Sequence, residues 1–510
     1  PDRFVAACEL AAARGKPIVM LKIGRSEGGR RAARAPTGSL VGADSVVDTV
    51  LTQLGVTRVR SVDELLETLA VFHAPKLPRG PGVAAISVSG GAVGLLSDLA
   101  PECDVSFAPL PESTLARLRQ AVPEYGSVGN PLDITGQGVF ETGILEGALD
   151  ALAEAGTVDV VVWARSFPAC LDRQSPIGQV LERAAAKHPD VPLLVMSLVG
   201  GHLHPTPNAD VPMVEPVLTL DGVPFLQGSE YGLRAIGALV RYSAFQQARA
   251  AAGPAAARQR RAPLGAAEPA RRLVWAAGGR PLTEREAKAV LALYGIRVTR
   301  ERPATTVAEA LAAADAVGYP VALKVESPDI LHKTEAGALA LDVRDAAGVR
   351  QAFGRVLANA RRAAPAADIR GVLVQEMVPP GREVLVGMSR DPQFGPVVAC
   401  GLGGVLAETL GDVRLLWPPL TEAEARAALA RLRGYPVLLG TRGAGPADLD
   451  ALVDVLLRFG DLVADLGDLV REIDINPLVL YGAGGGGCAV DCVIVPDDAG
   501  GGDDHGHARG

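Results

Sequence analysis

Residues 318–344 read GYPVALKVESPDILHKTEAGALALDVR, and the reading of this stretch decides the fold of the carboxy-terminal half. VALKV and LALDV are short β-rich runs, and the polar, glycine-containing segment between them has turn composition, so strand, loop and strand are predicted. Lys324 alternates with apolar neighbours, which places its ammonium either on an ordinary sheet surface or where a phosphate chain can lie. His332 lies in the loop, as an ordinary loop residue or as a nucleophile near neutral pH.

Working outward, Thr283-x-x-Glu286 and Thr306-x-x-Glu309 are capping boxes, each opening a helix before the strands begin. On the other side, residues 371–404 read GVLVQEMVPPGREVLVGMSRDPQFGPVVACGLGG: strand, polar turn, strand, loop, strand, and a glycine turn. Gln375, Glu376, Met377 and Val378 form either a plain hairpin or a hinge. In a hinge, backbone groups meet an adenine edge and Glu376 is left for ribose. Gly401, Gly403 and Gly404 make either a simple turn or a loop whose N–H groups approach phosphate closely. The terminal strands bring Glu472, Asp474, Asn476 and Asp491 together, hard oxygen donors of the kind that suit Mg²⁺.

The order lysine, hinge glutamate, glycine loop, then asparagine and aspartate is the plan of an ATP-grasp nucleotide site. ILHKTEAGA, DPQFGPVV, GLGG and EIDINPL resemble the ATP-grasp half of the ADP-forming acetyl-CoA synthetases, relatives of succinyl-CoA synthetase. ISVSGGAVGLLSDLA and VGNPLDITG resemble that family's second flavodoxin-like domain, and residues 1 to about 75 the end of its first. The fold expected is therefore α/β. Two flavodoxin-like parallel-sheet domains, the first truncated, occupy 1–78 and 82–245; a linker follows at 246–275; the ATP-grasp domain covers 276–498; and 499–510 is a disordered tail. The family's amino-terminal CoA-binding domain is expected to be missing, since the chain opens as the interior of a domain.

The resemblance implies a ligase converting a carboxylic acid, CoA and ATP to acyl-CoA, ADP and phosphate through phosphohistidines. His332 matches the second, mobile carrier. Ser89, Gly90 and Gly91 match a helix start that faces the first phosphohistidine, where free N–H groups favour phosphate. Lys324, Gln375, Glu376, Val378, Gly403 and Gly404 are then expected at ATP, Asn476 and Asp491 at Mg²⁺, with CoA held largely outside this chain. Pro36 stands where the family carries its primary carrier histidine, before Thr37-Gly38-Ser39-Leu40, and a pyrrolidine cannot take a phosphoryl group. Either the relay is shortened or the chain is a nucleotide-binding regulatory paralogue, of the kind related to the synthetase-like part of protein lysine acetyltransferases.

Composition limits the remaining classes. The 510 residues call for about three domains at roughly 150 each. A formal charge of −8 offers no footprint for nucleic acid. Six cysteines without CxxC spacing indicate reduced thiols in a cytoplasm, and Cys488 and Cys492 read as ordinary thiols. Apolar runs fall short of the roughly 20 residues a bilayer span needs. His202 and His204 read as polar loop residues, the arginines 258, 260 and 261 as a solvated linker, and the assembly as a homo-oligomer with small-molecule partners.

Overall fold

The computed structural model describes residues 2–25, 43–165, 175–200, 220–252, 260–330, 332–403, 411–440 and 445–497. Pro36, Arg258, His202, His204, Gly404 and the tail lie outside the described residues. Two compact units are present: Pro1–Ala33 with Leu54–Ala255, and Arg34–Gln53 with Ala256–Gly510.

In the first unit, β1 (Ile18–Leu21) and β2 (Val56–Val59) pair in parallel, with helices on either side in sequence. A five-stranded parallel sheet follows, built from β3 (Val83–Ser87), β4 (Leu132–Asp133), β5 (Val160–Arg165), β6 (Leu193–Ser197) and β7 (Phe225–Gln227) in the order β4-β3-β5-β6-β7. The central strands are near-continuous apolar runs because both faces are covered. Ala84, Ile86, Val161 and Trp163 belong to the core on one face, and Val83, Ala85, Val160 and Val162 to the core on the other. Successive strands are added on opposite sides of β3, so the winding reverses there, and the helix Gly90–Leu99 begins at its carboxyl end. Asn130 supports β3 by side-chain bonds alone, accepting from Ala85 N–H at 3.1 Å and donating to the carbonyls of Val83 at 2.8 Å and Ala108 at 2.9 Å.

In the second unit, β8 (Glu301–Ala304), β9 (Val321–Glu326), β10 (Leu339–Val343) and β11 (Gly371–Glu376) form a sheet of order β10-β9-β11-β8. A larger antiparallel sheet has the order β14-β13-β12-β15-β16. It uses β12 (Arg382–Asp391), β13 (Gly395–Leu402), β14 (Val413–Leu416), β15 (Val470–Leu480) and β16 (Gly487–Ala489), and β17 (Cys492–Pro496) also pairs with β15. Each sheet has its own core, one carrying Phe353 and Val356, the other Phe459 and Leu462. The helix Glu284–Leu293 serves both sheets. Leu282 N–H donates to Ile494 O of β17 at 2.9 Å, while Arg285 reaches Glu326 of β9 at 2.9 Å.

Two stretches are placed in more detail than sequence alone allows. The helix Asp44–Gln53, placed in the first domain by its position in the chain, groups with the second unit, where the Gln53 amide brackets the Trp417 backbone at 3.0 and 2.7 Å. The stretch 246–275 contains the end of the helix Ser229–Ala252 and most of the helix Ala267–Ala276. Between them Arg260 meets Asp465 through both terminal nitrogens, and the N–H groups of Arg261 and Ala262 converge on Asp461 at 2.7 and 2.8 Å. Arg260 is thus paired to the helix Leu449–Leu466, while the partly exposed Arg261 guanidinium meets Glu422 at 3.3 Å. No described helix is long and apolar enough to cross a membrane.

Candidate functional site

Lys324, on β9, has a side chain only 6% accessible. Its ammonium does not emerge free from the sheet, because Glu284 Oε1 lies 2.6 Å away. The same oxygen accepts from Lys288 Nζ at 2.7 Å, and the other, Oε2, forms an ion pair with Lys333 Nζ at 3.0 Å without the alignment of a hydrogen bond. Asp491 closes the ring, 3.9 Å from Lys324 Nζ and 3.7 Å from Lys333 Nζ. Lys288 is also satisfied by Glu301 at 2.8 Å, Thr299 at 2.9 Å and the Gln375 amide oxygen at 3.0 Å. Gln375 in turn donates to Val490 O at 3.4 Å. Buried charges persist only when paired and hydrogen-bonded in this way.

The electrostatics follow from the crowding. Burial alone raises a carboxyl, but the fields of Lys324, Lys288 and Lys333 outweigh it and hold Glu284 well below the ordinary carboxylate range. For Asp491 burial prevails: the group is raised, with Glu284 adding to the effect and Lys324 and Lys333 opposing it. Its side chain keeps 30% of its surface open, so it stands at the rim of the cluster. Nearby on β15, burial, then Glu472 and Asp491, push Asp474 up to about 6. Asn476 is exposed two residues further along the same strand, and its N–H donates to Asp491 O at 3.3 Å. The carboxylate and amide oxygens of Asp474, Asn476 and Asp491 are hard donors of the type a divalent cation takes.

The sequence-selected residues divide into groups. Lys324, Gln375, Asn476 and Asp491 come together around one cluster. Glu376 ends β11, and its carboxylate is engaged by Arg300, from the backbone N–H and from Nε, each at 2.8 Å. Val378 is half-buried just beyond that strand. Gly403 has a packing reason to be glycine: its N–H donates to Glu383 O at 2.8 Å, and a Cβ there would stand 3.0 Å from the Glu383–Val384 backbone. His332 is exposed, at the start of the turn that brings Lys333 inward. Ser89, Gly90 and Gly91 lie in the other unit, where a Cβ on Gly90 would approach Asp133 Oδ2 to 3.3 Å.

Glu284, Lys288 and Lys333 escaped the sequence reading. A signal for the first two was present, since Glu284 and Lys288 stand one helical turn apart beside the apolar stripe Ala287, Val290 and Leu291, where charge is unexpected. Outside this region, His188 Nε2 lies 2.7 Å from Asp150 and 4.0 Å from Glu154, but Lys187 and Arg117 already neutralise those carboxylates.

Comparison with known proteins agrees with this layout. The ATP-grasp domain family matches residues 274–495, and the succinyl-CoA ligase-like flavodoxin domain family matches 1–72. The fold and site thus define an α/β protein of the succinyl-CoA ligase-like, ATP-grasp class. Acetate–CoA ligase [ADP-forming] I of Archaeoglobus fulgidus is 34% identical over 475 residues, covering 92% of this chain and 65% of that protein. The acetate–CoA ligase [ADP-forming] II β subunit of Pyrococcus furiosus is 43% identical over 222 residues, 44% of this chain and 94% of that one. A solved structure of the acetyl-coenzyme A synthetase 1 of Ca. Korarchaeum cryptofilum, in complex with coenzyme A and Ca-AMPCP, is 38% identical over 45% of this chain and 100% of that chain, with a TM-score of 0.43. The chain belongs to the family of ADP-forming acyl-CoA ligases. It spans slightly less than two thirds of the Archaeoglobus relative's length.

Proposed function

We propose that this chain is the nucleotide-binding and phosphoryl-carrying part of an ADP-forming acid–CoA ligase, which interconverts a carboxylic acid, CoA and ATP with acyl-CoA, ADP and phosphate. The observation that supports it most is the buried cluster of Lys324, Lys333, Glu284 and Asp491 with exposed His332 beside it in sequence. Lys324 is a point charge suited to triphosphate oxygens. A divalent cation held by Asn476 and Asp491 supplies charge neutralisation on the transferring phosphoryl group when bound. His332 serves as nucleophile toward the terminal phosphorus and, in reverse, as leaving group. Gln375 to Val378 frame the adenine side, Gly403 and Gly404 the phosphate side, and Ser89 to Gly91 a phosphate-stabilising helix start. CoA is bound largely by parts beyond this chain, and the protein works in the cytoplasm as a homo-oligomer.

The test is chemical. Incubation with γ-labelled ATP and Mg²⁺ should place acid-labile label on the wild-type chain and none on His332→Ala; equal labelling of both would overturn the assignment. A second reading is favoured by Pro36, which cannot carry phosphate: a regulatory relative that binds nucleotide without synthesising thioester. A coupled assay on the full protein with ATP, CoA and a panel of acids separates the two, since measurable nucleotide binding with neither ADP nor thioester formed supports the regulatory reading.

A further inference from the structure

Lys333 is the neighbour of His332 in sequence but points the opposite way. The histidine is exposed, whereas the lysine side chain is 8% accessible, with Nζ held between Glu284 Oε2 at 3.0 Å and Asp491 Oδ1 at 3.7 Å. Its backbone is fixed as well. The Lys333 carbonyl accepts Ala338 N–H at 2.9 Å, and Asn359 donates to Gly337 O at 2.8 Å, closing the turn that starts at His332. Lys288 and Lys324 sit on the other Glu284 oxygen at 2.7 and 2.6 Å, but Lys288 also serves Glu301 at 2.8 Å and Lys324 lies 3.9 Å from Asp491, so three ammonium groups meet three carboxylates. Of the three, Lys333 is the one adjacent to His332 in sequence, so its pairing with Glu284 and Asp491 also anchors the start of the histidine's turn.

We propose that Lys333 is a positioning residue for His332, tethering the histidine's turn to the Glu284–Asp491 pair and relaying to it whether Asp491 is occupied. This role rests on the reading of His332 as phosphoryl carrier. The coupling is electrostatic. With a nucleotide-borne divalent cation held at Asp491, Lys333 would lose that carboxylate as a partner and keep Glu284, and the shift of its ammonium would move the adjacent residue. The transfer being positioned is formation of a bond between an imidazole nitrogen of His332 and the γ-phosphorus as the bond to the β,γ-bridging oxygen breaks, with ADP leaving.

The experiment uses the full chain with Lys333→Met, Lys333→Arg and His332→Ala, and Lys333→Gln stands in should the methionine variant not fold. Single-turnover labelling from γ-labelled Mg·ATP should slow on the order of 10- to 100-fold in Lys333→Met, while Mg·ADP affinity by calorimetry changes less than about threefold and Lys333→Arg recovers part of the rate. Amide hydrogen exchange across residues 332–338 of the nucleotide-free chain should quicken in Lys333→Met. Mg·ADP should alter that exchange in wild type and leave the variant unchanged. Wild-type labelling by Lys333→Met overturns the positioning role, as does a loss of affinity in proportion to rate, which would make Lys333 a plain phosphate ligand. Label persisting in His332→Ala removes the carrier reading itself, and the positioning role with it.

Discussion

At the scale of single residues, Lys288 shows how strongly the cluster constrains its members. It is 2% accessible and touches Glu284, Glu301, Thr299 and Gln375, which lie on a helix, a strand, the segment before that strand and a second strand. Replacing it by methionine keeps most of the volume but strips Glu301 of its lysine partner and leaves Glu284 with two. Breaking a buried ion pair from one side costs about 3–5 kcal/mol, because the remaining charge cannot be solvated. Lys288→Met is therefore expected to lower the unfolding free energy of the second unit, read from urea titration, by that amount. A loss below about 1 kcal/mol would mean that water reaches Glu301 and that the site is wetter than its accessibility indicates.

At the scale of elements, the capping box that opens the helix Glu284–Leu293 fixes the first residue of that helix in the cluster. Thr283 accepts from Glu286 N–H, and Glu286 accepts back from Thr283 N–H at 2.9 Å while gripping Arg280 through two bonds and Arg370 through one. Burial raises the Glu286 carboxyl, but Arg280, the Thr283 N–H and Arg370 together lower it to about 2. A depressed carboxylate contributes stability that is present above its unfolded value near 4.3 and is lost as pH falls toward about 2. Allowing for solvent screening, the contribution is on the order of 1–2 kcal/mol. Urea titrations at pH 6, 4 and 3 should show wild type losing its advantage over Glu286→Gln across that interval, whereas a constant gap would assign the effect to packing.

The same element shows which parts of the structure could be read from sequence. Both predicted capping boxes formed, at Thr283 and Thr306, and a third at Thr421 went unread. Local hydrogen-bond chemistry of this kind is written within four residues. The strands Val83–Ser87, Val160–Arg165 and Leu193–Ser197 are mostly apolar runs in the sequence, local information of a similar kind. What could not be read was the partner of each charge. Lys324 was found by its alternation, but Glu284 lies 40 positions earlier and Asp491 far later, and only tertiary packing brings them together. The docking of Asp44–Gln53 with the second unit was hidden likewise, since its contact, Gln53 with Trp417, joins residues 364 apart.

At the scale of the whole molecule, the second unit holds two separate apolar cores, one for each sheet, and polar groups bridge them: Lys324 and Gln375 on one side, the Val490 carbonyl and Asp491 on the other. Such a bridge gains little net stability once the cost of desolvating its charges is counted. A ligand adding phosphate and a divalent cation there should therefore stabilise the unit by mass action, about 2.7 kcal/mol at a hundredfold excess over its dissociation constant. Tryptophans distinguish the two units. Trp163 is fully buried in the first, whereas Trp417, bonded through its indole N–H to Phe394 O at 3.1 Å, reports on the second. With Trp275, the other tryptophan of the second unit, replaced by phenylalanine throughout, thermal unfolding followed by fluorescence of Trp163→Phe and Trp417→Phe variants should then show Mg·ADP raising the Trp417 transition while leaving the Trp163 transition in place. Asp491→Asn should abolish the rise without lowering the ligand-free transition by a comparable amount. Equal shifts at both tryptophans would place the ligand's stabilisation outside the cluster, and no shift at either would remove the nucleotide from this fold altogether.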